Sequence, residues 1–323
     1  MVGTAAVRTV ARMRSVSPSR PIDLPRRLPA RTGAAALVVS LTAALTPGVV
    51  RPAVAAPPAD RSAARARVHV ALGDSFTAGP FIPDPIGSPV GCLRSARNWA
   101  RLLAAASRAV LRDASCSGAT IARLTRRQEV ADGVNPAQLG RLDSDTTLVT
   151  LQIGGNDLGF GTILIRCLAL LPVGAPCRNH YTADGVDRLA ARVDAVAPRV
   201  GAAIEAVRRR APAARIALVG YPALLPDRGP GCWPRMPFTP RDVEYLRSVQ
   251  RRLNRALAAE AFAHRAIWIG LYGPSVGHDP CAPAPQRWVE PLVPAVAAAP
   301  VHPNATGMAA FAGIVRRRLA GVS

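Results

Sequence analysis

Residues 68–79 read VHVALGDSFTAG, and this stretch decides the fold class. Apart from His69 its first five residues are apolar, which predicts a buried strand, and Gly73 ends that strand before a polar turn. Further strands and helices alternate along the chain, which predicts an α/β fold with a parallel sheet covered on both faces. The other strands are predicted at Ala109–Ala114, Thr147–Ile153, Ile216–Gly220 and Ala266–Leu271. Helices are predicted near 95–108, 185–209 and 304–319, and from Thr239 onward, where Thr239 is the expected N-cap and Pro240 the first helical residue.

Four short turns carry residues of the types that catalytic sites use. In an open parallel sheet, ligands bind beyond the carboxyl ends of the strands, and three of these turns follow predicted strands. A serine nucleophile needs a base to take its proton and donors that hold the developing oxyanion. The turns supply a hydroxyl, a glycine N–H, a side-chain amide and a histidine. They are Gly73-Asp74-Ser75, Ser117-Gly118, Gly154-Gly155-Asn156-Asp157 and Val301-His302-Pro303-Asn304.

These blocks resemble the GDSL, or SGNH, hydrolase family, specifically its secreted actinobacterial lipases and esterases. The matching stretches stand in the family's order and cover essentially the whole chain after residue 67. The resemblance implies a flavodoxin-like three-layer α/β/α sandwich with a five-stranded parallel sheet in the order 2-1-3-4-5. The stretches are 71–79 (ALGDSFTAG), 116–120 (CSGAT), 153–157 (IGGND) and 302–307 (HPNATG).

The same resemblance implies the roles of the site residues. Ser75 would be the nucleophile and His302 the general base, and the Ser75 N–H, the Gly118 N–H and the Asn156 amide would form the oxyanion hole. The expected activity is hydrolysis of fatty-acyl esters, with phospholipase A or polysaccharide acetyl esterase as alternatives. Outside the enzymes, a basic exported protein that binds anionic polymers is the alternative. No metal or organic cofactor is expected.

One position departs from the family pattern. Many members have an aspartate three residues before the histidine, whereas this chain has Ala299 there. We therefore expect a Ser–His dyad whose imidazole N–H is accepted by the backbone carbonyl of Ala299 or Pro300. Asp279 and Glu290 are the carboxylate alternatives.

Two further stretches have competing interpretations. Residues 273–277 (GPSVG) match the G-x-S-x-G nucleophile elbow, but the prolines that follow disfavour the helix such an elbow requires. We therefore expect Ser275 to lie in a pocket wall. For His278, a surface or structural role is favoured, and lining of the substrate cleft is the alternative. Leu158–Leu171 is the most apolar stretch after residue 67; core packing is favoured, and lining of an acyl groove is the alternative.

Six cysteines in an exported chain favour three disulfides, although spacing alone leaves 15 possible pairings. Metal binding is disfavoured because no pair has the C-x-x-C spacing. The family resemblance implies consecutive pairing. The expected bonds are Cys92–Cys116, Cys167–Cys177 and Cys232–Cys281.

The N-terminal region is typical of a targeting segment. Residues 1–55 combine eight arginines with an apolar run, Gly33–Val50, and end in Ala53-Val54-Ala55, a signal-peptidase pattern. An uncleaved membrane anchor is the less favoured alternative, because Pro47 interrupts a run of barely the required length. We expect a signal peptide at 1–55, a flexible arm at 56–67 and a hydrolase domain at 68–323. The protein would be secreted, through Sec or alternatively Tat.

The charge of the chain comes entirely from arginine. All 41 basic side chains are arginines, which excludes a P-loop lysine, a Schiff base and a Ser–Lys dyad. The net charge of +21 falls to about +14 once residues 1–55 are removed. No basic run alternates with aromatic residues, so nucleic acid is not an expected partner. We expect a monomer that acts on a small-molecule or lipid ester and makes peripheral contact with anionic surfaces.

Overall fold

The computed structural model describes residues 67–321. The predicted signal peptide and all but the last residue of the predicted arm lie outside this range. Within it, no helix combines the length and the apolar character needed to cross a membrane.

A five-stranded parallel sheet forms the centre of the fold. Its hydrogen-bonded order is β2-β1-β5-β6-β7, so its own five strands follow the predicted order 2-1-3-4-5. An additional antiparallel hairpin, β3–β4, was not predicted, and it shifts the numbering of the last three sheet strands. The strands are β1 Val68–Gly73, β2 Val110–Asp113, β3 Gln128–Val130, β4 Gly133–Asn135, β5 Leu148–Gln152, β6 Arg215–Val219 and β7 Ile267–Ile269.

Helices cover both faces of the sheet. One face carries α2 and α8 and the other carries α6 and α7, while the short helices lie beside the carboxyl ends of the strands. The helices are α1 Ser75–Ala78, α2 Trp99–Ala106, α3 Gly155–Leu158, α4 Phe160–Arg166, α5 Pro176–Tyr181, α6 Arg188–Arg210, α7 Pro240–Ala263 and α8 Ala305–Ala320.

Strand β1 has a nearly continuous apolar sequence because both of its faces are buried. Successive side chains point to opposite faces, so Val70 and Leu72 join the core under α6 and α7, while Ala71 joins the core under α2 and α8. Every residue of the strand is buried, including His69. The polar turn after Gly73 therefore follows a fully buried inner strand of the sheet.

The long helices begin at polar caps. Thr239 accepts a hydrogen bond from Asp242 N (3.1 Å) with Pro240 at the first helical position, as the sequence predicts. Asn304 caps α8 by accepting from Gly307 N (2.9 Å). This cap fixes where α8 begins, and His302 lies two residues before it.

Three disulfides hold the loops beyond the strand ends. The bonded pairs are those that the family resemblance implies, Cys92–Cys116, Cys167–Cys177 and Cys232–Cys281.

The stretch Leu158–Leu171 follows the favoured expectation of core packing only in part. Leu158 and Cys167 are buried in the core, and Phe160, Ile163 and Leu164 pack against it. None of the residues of α4 is fully buried, and Leu168, Leu170 and Leu171 are exposed. The physical reason is that α4 lies beside the strand ends above a cavity, and not against the sheet face. The alternative interpretation, lining of a groove, describes its position better.

Candidate active site

The hydroxyl of Ser75 lies beside the imidazole of His302. Ser75 is the first residue of α1, directly after β1, and Asp74 caps this helix by accepting from Phe76 N (2.9 Å). The distance from His302 Nε2 to Ser75 Oγ is 2.8 Å. Phe76 stacks on the imidazole with ring centroids 4.9 Å apart. The structure thus brings together two side chains that are 227 positions apart in the chain.

The other nitrogen of His302 contacts a backbone carbonyl. Its Nδ1 lies 2.7 Å from the oxygen of Pro300, whereas the Ala299 oxygen accepts from the backbone N–H of His302 (3.2 Å). Val301 between them has φ of 57°, an uncommon conformation for a β-branched residue, and this turn directs the Pro300 carbonyl toward the ring. Of the two predicted carbonyls, only that of Pro300 faces the imidazole.

Neither alternative carboxylate contacts His302. Glu290 accepts from Asn304 Nδ2 and from Ala295 N, both at 2.8 Å, and Asp279 accepts from Cys281 N at 2.9 Å. Burial lowers the pKa of His302 below its ordinary value, and the Pro300 carbonyl acts in the opposite direction. The ring is therefore neutral at neutral pH and can accept a proton from Ser75.

The two predicted donor turns are held together by hydrogen bonds. Asn156 Nδ2 donates to Ala119 O, and Ile121 N donates to Asp157 Oδ2, both at 2.9 Å. A primary amide has two N–H groups, so the bond to Ala119 leaves one that can serve a ligand. Gly118 has φ of 75°, which favours glycine. Asn156 and Ser75 both line the same cavity.

Glutamines that the sequence analysis did not single out support the nucleophile turn. Gln138 pairs with both backbone groups of Gly73, at 2.8 Å from N and 2.9 Å from O. Gln152 accepts from Trp99 Nε1 and from Thr77 Oγ1, both at 3.1 Å. A Cβ at Gly73 would lie 2.4 Å from Thr77 Oγ1, so only glycine fits there. Of these two glutamines, only Gln152 is marked in the sequence, because it is a polar residue at the end of an apolar strand.

Tyr221 connects the nucleophile turn to the asparagine turn. Its hydroxyl donates to Asp74 Oδ2 (2.6 Å) and accepts from Gly155 N (2.9 Å). Burial raises the pKa of Asp74 to about 7, although the hydrogen bonds from Tyr221 and Phe76 act to lower it. Burial also raises the pKa of Tyr221, so its hydroxyl keeps its proton. The sequence offered no signal for this residue, because its partners are distant in the chain.

The competing serine, Ser275, has a structural environment. It is fully buried in a short 3₁₀ helix, and its Oγ accepts from Ala223 N (2.7 Å) and lies 2.8 Å from Leu271 O. His278 stacks on Trp288 at 3.9 Å and does not line the cavity beside Ser75. Within residues 67–321, His, Cys, Asp and Glu side chains form no cluster of three or more able to hold a metal ion.

A mostly apolar cavity, partly open to solvent, adjoins Ser75. It lies between α4, the first half of α7 and the segment that joins β6 to α7. Asp74, Ser75, Asn156, Tyr221 and Gln250 are its polar members. The apolar lining includes Leu158, Phe160, Ile163, Leu164, Leu224, Leu225, Met236, Phe238, Leu246, Val249, Leu253 and Val301.

Comparison with known proteins gives a consistent result. Residues 71–310 match the family model of the GDSL-like lipase/acylhydrolase family. Lipase 2 of Streptomyces coelicolor is 38% identical over 245 residues, which cover 74% of this chain and 81% of that protein. An esterase of Streptomyces scabiei is 32% identical over 256 residues, covering 66% of this chain and 72% of that protein. The crystal structure of phospholipase A1 from Streptomyces albidoflavus NA297 superposes with a TM-score of 0.66 and 25% identity, covering 80% of this chain and all of that one.

Proposed function

The chain belongs to the GDSL-like lipase/acylhydrolase family and is a hydrolase of that family, and we propose that it is a secreted serine esterase that cleaves fatty-acyl esters. The observation that carries this proposal is the 2.8 Å contact between Ser75 Oγ and His302 Nε2 beside an apolar cavity. Ser75 is the nucleophile, and the reaction proceeds through an acyl-enzyme on its hydroxyl.

His302 moves the protons of the reaction. As a neutral imidazole it takes the proton of Ser75 while Oγ attacks the ester carbonyl carbon. The tetrahedral intermediate then expels the alcohol, which receives this proton from Nε2. In the second half, His302 deprotonates a water molecule that attacks the acyl-enzyme, and the acid leaves as Ser75 recovers its proton. The Pro300 carbonyl keeps the Nδ1 proton in place throughout, which fixes the tautomer.

Three donors stabilise the negative charge on the ester oxygen. They are the N–H groups of Ser75 and Gly118 and the second N–H of the Asn156 amide. Because the turns of Gly118 and Asn156 are already bonded to each other, these donors need no rearrangement during the reaction. Tyr221 fixes the asparagine turn relative to Asp74 and thereby relative to Ser75.

The cavity determines the preferred acyl group. Each methylene that enters an apolar environment gains about 0.8 kcal/mol, so a long acyl chain binds far better than an acetyl group. An acetyl group would leave most of the cavity unfilled, which disfavours the acetyl esterase alternative. Phospholipids carry the same acyl esters, and the likeness to phospholipase A1 supports them as a second candidate substrate.

Secretion is supported by two features. The chain begins with the arginine-rich and apolar pattern of an export signal, and all six cysteines form disulfides, which persist in oxidising compartments.

A series of p-nitrophenyl esters from acetate to palmitate tests this proposal. We expect kcat/KM to rise with chain length, and Ser75→Ala to lose hydrolysis of every ester while its thermal unfolding is unchanged. The matched control is Ser275→Ala, which retains hydrolysis per folded molecule. Normal activity of Ser75→Ala would overturn the mechanism, and a preference for acetate would overturn the substrate class. The parent protein, Ser75→Ala and Ser275→Ala are also assayed for release of fatty acid from phosphatidylcholine. This assay measures whether phospholipids are substrates.

A further inference from the structure

An exposed group of aliphatic side chains begins in the last turn of α4 and continues into the loop after it. We call residues Ile165–Val173 the apolar loop; in it Leu170 is 95% exposed, Ile165 72% and Leu171 66%. Trp233, 41% exposed, lies alongside, since its Nε1 donates to Ala169 O (3.2 Å). Exposed apolar groups gathered in one place indicate an interaction surface more strongly than the same groups scattered singly.

The apolar loop is held in place by covalent and backbone bonds. The Cys167–Cys177 disulfide closes residues 167–177, which include most of the apolar loop, into a ring. Ala169 N donates to Pro237 O (2.7 Å). The segment that contains Trp233 and Pro237 is itself joined by Cys232–Cys281 to the loop that follows β7. The leucines are therefore presented to solvent by a braced backbone.

The two segments that carry this surface also line the cavity beside Ser75. Phe160, Ile163 and Leu164 come from α4, directly before the apolar loop, and Met236 and Phe238 follow Trp233. The exposed apolar surface is thus continuous along the chain with the cavity wall. A molecule held on this surface would have its acyl chains near the cavity.

The charged residues of the chain segment 158–182, which contains the apolar loop, are all arginines. No aspartate or glutamate occurs between Leu158 and Thr182, whereas Arg166 and Arg178 are exposed there and Arg235 is exposed beside Trp233. Within residues 67–321, none of these three arginines forms an ion pair with a carboxylate. Arg166 Nη2 lies 3.1 Å from His180 Nδ1, and Arg235 Nη1 donates to Cys281 O at 3.3 Å.

We propose that the apolar loop, with Trp233 and the flanking arginines, is a docking surface for a lipid layer with anionic headgroups. Leucine, isoleucine and tryptophan side chains enter the boundary between headgroups and acyl chains, and arginine side chains meet the phosphate groups. This inference rests in part on the proposed function, because it explains how an insoluble ester reaches the cavity. A second copy of the chain fits less well, since a twofold contact would bring like charges together.

Sedimentation with lipid vesicles tests the proposal. The vesicles consist of phosphatidylcholine alone or of equal parts phosphatidylcholine and phosphatidylglycerol. All proteins carry Ser75→Ala, so the vesicles are not degraded, and all share the same N-terminal residues. We expect Leu170→Ser/Leu171→Ser to lower the partition coefficient at least tenfold on both vesicle types. Arg166→Gln/Arg235→Gln should lower it about tenfold or more on the anionic vesicles only.

Matched controls lie at the opposite end of the sheet. Phe262, 88% exposed near the end of α7, is changed to serine, and Arg316, exposed in the second half of α8, is changed to glutamine. Both should bind like the parent protein. An unchanged thermal denaturation midpoint shows that each variant is folded.

Three results would overturn the docking surface. They are unchanged binding by Leu170→Ser/Leu171→Ser, an equal loss with Phe262→Ser, and conversion of a dimer to a monomer by the leucine substitutions. Because binding is measured without hydrolysis, failure here is distinct from failure of the proposed esterase activity, which the soluble ester series measures separately.

Discussion

The carbonyl oxygen of Pro300 lies 2.7 Å from Nδ1 of His302, and no carboxylate among residues 67–321 contacts this imidazole. A neutral carbonyl fixes the tautomer of the ring as a carboxylate does, but it stabilises the imidazolium less. We therefore propose that catalysis uses a Ser–His dyad with a backbone acceptor.

Replacement of the two nearby acids tests this arrangement. We expect Asp279→Asn and Glu290→Gln to keep kcat within about threefold of the parent value, because neither side chain contacts His302. Where a carboxylate does orient the histidine, its conversion to the amide lowers kcat by about 10⁴-fold. A loss of that size in either variant, with folding intact, would contradict the backbone acceptor.

Removal of one oxyanion donor should affect turnover specifically. Asn156→Ala is expected to lower kcat by about 10²–10³-fold, because the amide contributes mainly when charge develops on the ester oxygen. KM should change little. Steady-state kinetics on p-nitrophenyl butyrate measures both constants, and a variant whose kcat is unaffected would remove Asn156 from the mechanism.

Tyr221 is a positioning residue in this account. Tyr221→Phe removes the bonds to Asp74 and to Gly155 N, so the asparagine turn and the nucleophile turn lose their connection. We expect kcat to fall by about 10- to 150-fold with KM little changed, because a hydrogen bond to a charged group contributes on the order of 1.5–3 kcal/mol.

The pH profile separates positioning from simple destabilisation. The Tyr221 hydroxyl lowers the pKa of Asp74, so Tyr221→Phe should raise that pKa further. A structural loss alone would lower the melting temperature and leave kcat of the folded fraction and the shape of its pH profile unchanged. That outcome would contradict the positioning role.

The buried His69 should make the protein sensitive to acid. Burial lowers the pKa of His69 to about 4, whereas an unfolded histidine has its ordinary value of 6.5. Between these values the unfolded chain binds more protons, so stability is full above pH 6.5 and is lost as the pH falls toward 4. The contribution lost at pH 4 is on the order of 3 kcal/mol.

Denaturant unfolding at pH 7 and pH 4 measures this loss. His69→Gln replaces the titrating ring with a neutral side chain that can still bond Thr150, whose Oγ1 lies 2.9 Å from His69 Nε2. The free energy of unfolding should differ between pH 7 and pH 4 by about 3 kcal/mol less in His69→Gln than in the parent protein. An equal pH dependence in both proteins would contradict the assignment.

Local patterns were sufficient for the main elements of the fold. The apolar run of β1 and the Thr239-Pro240 cap of α7 were predicted because their signals lie within a few residues. The hairpin β3–β4 was missed because each strand has only three residues, and Gln128 and Glu129 are polar. Such short strands are stabilised by contacts with the surrounding structure, and three residues are too few to show an alternating pattern.

The site was predictable only in part, for a related reason. The turns of Ser75, Asn156 and His302 are marked by their own sequences, whereas Tyr221 meets Asp74 across 147 positions of the chain. The choice of Pro300 over Ala299 depends on the left-handed conformation of Val301, which no neighbouring residue signals. The exposure of the leucines after α4 depends on a disulfide and on where α4 lies.

Labelling with a long-chain alkyl fluorophosphonate identifies the nucleophile. This reagent reacts with activated serine hydroxyls, and peptide mass spectrometry identifies the modified residue. We expect a single adduct on Ser75 that parallels the loss of esterase activity and is absent from Ser75→Ala. An adduct on Ser275, or complete inactivation without an adduct on Ser75, would contradict the role of Ser75 as nucleophile.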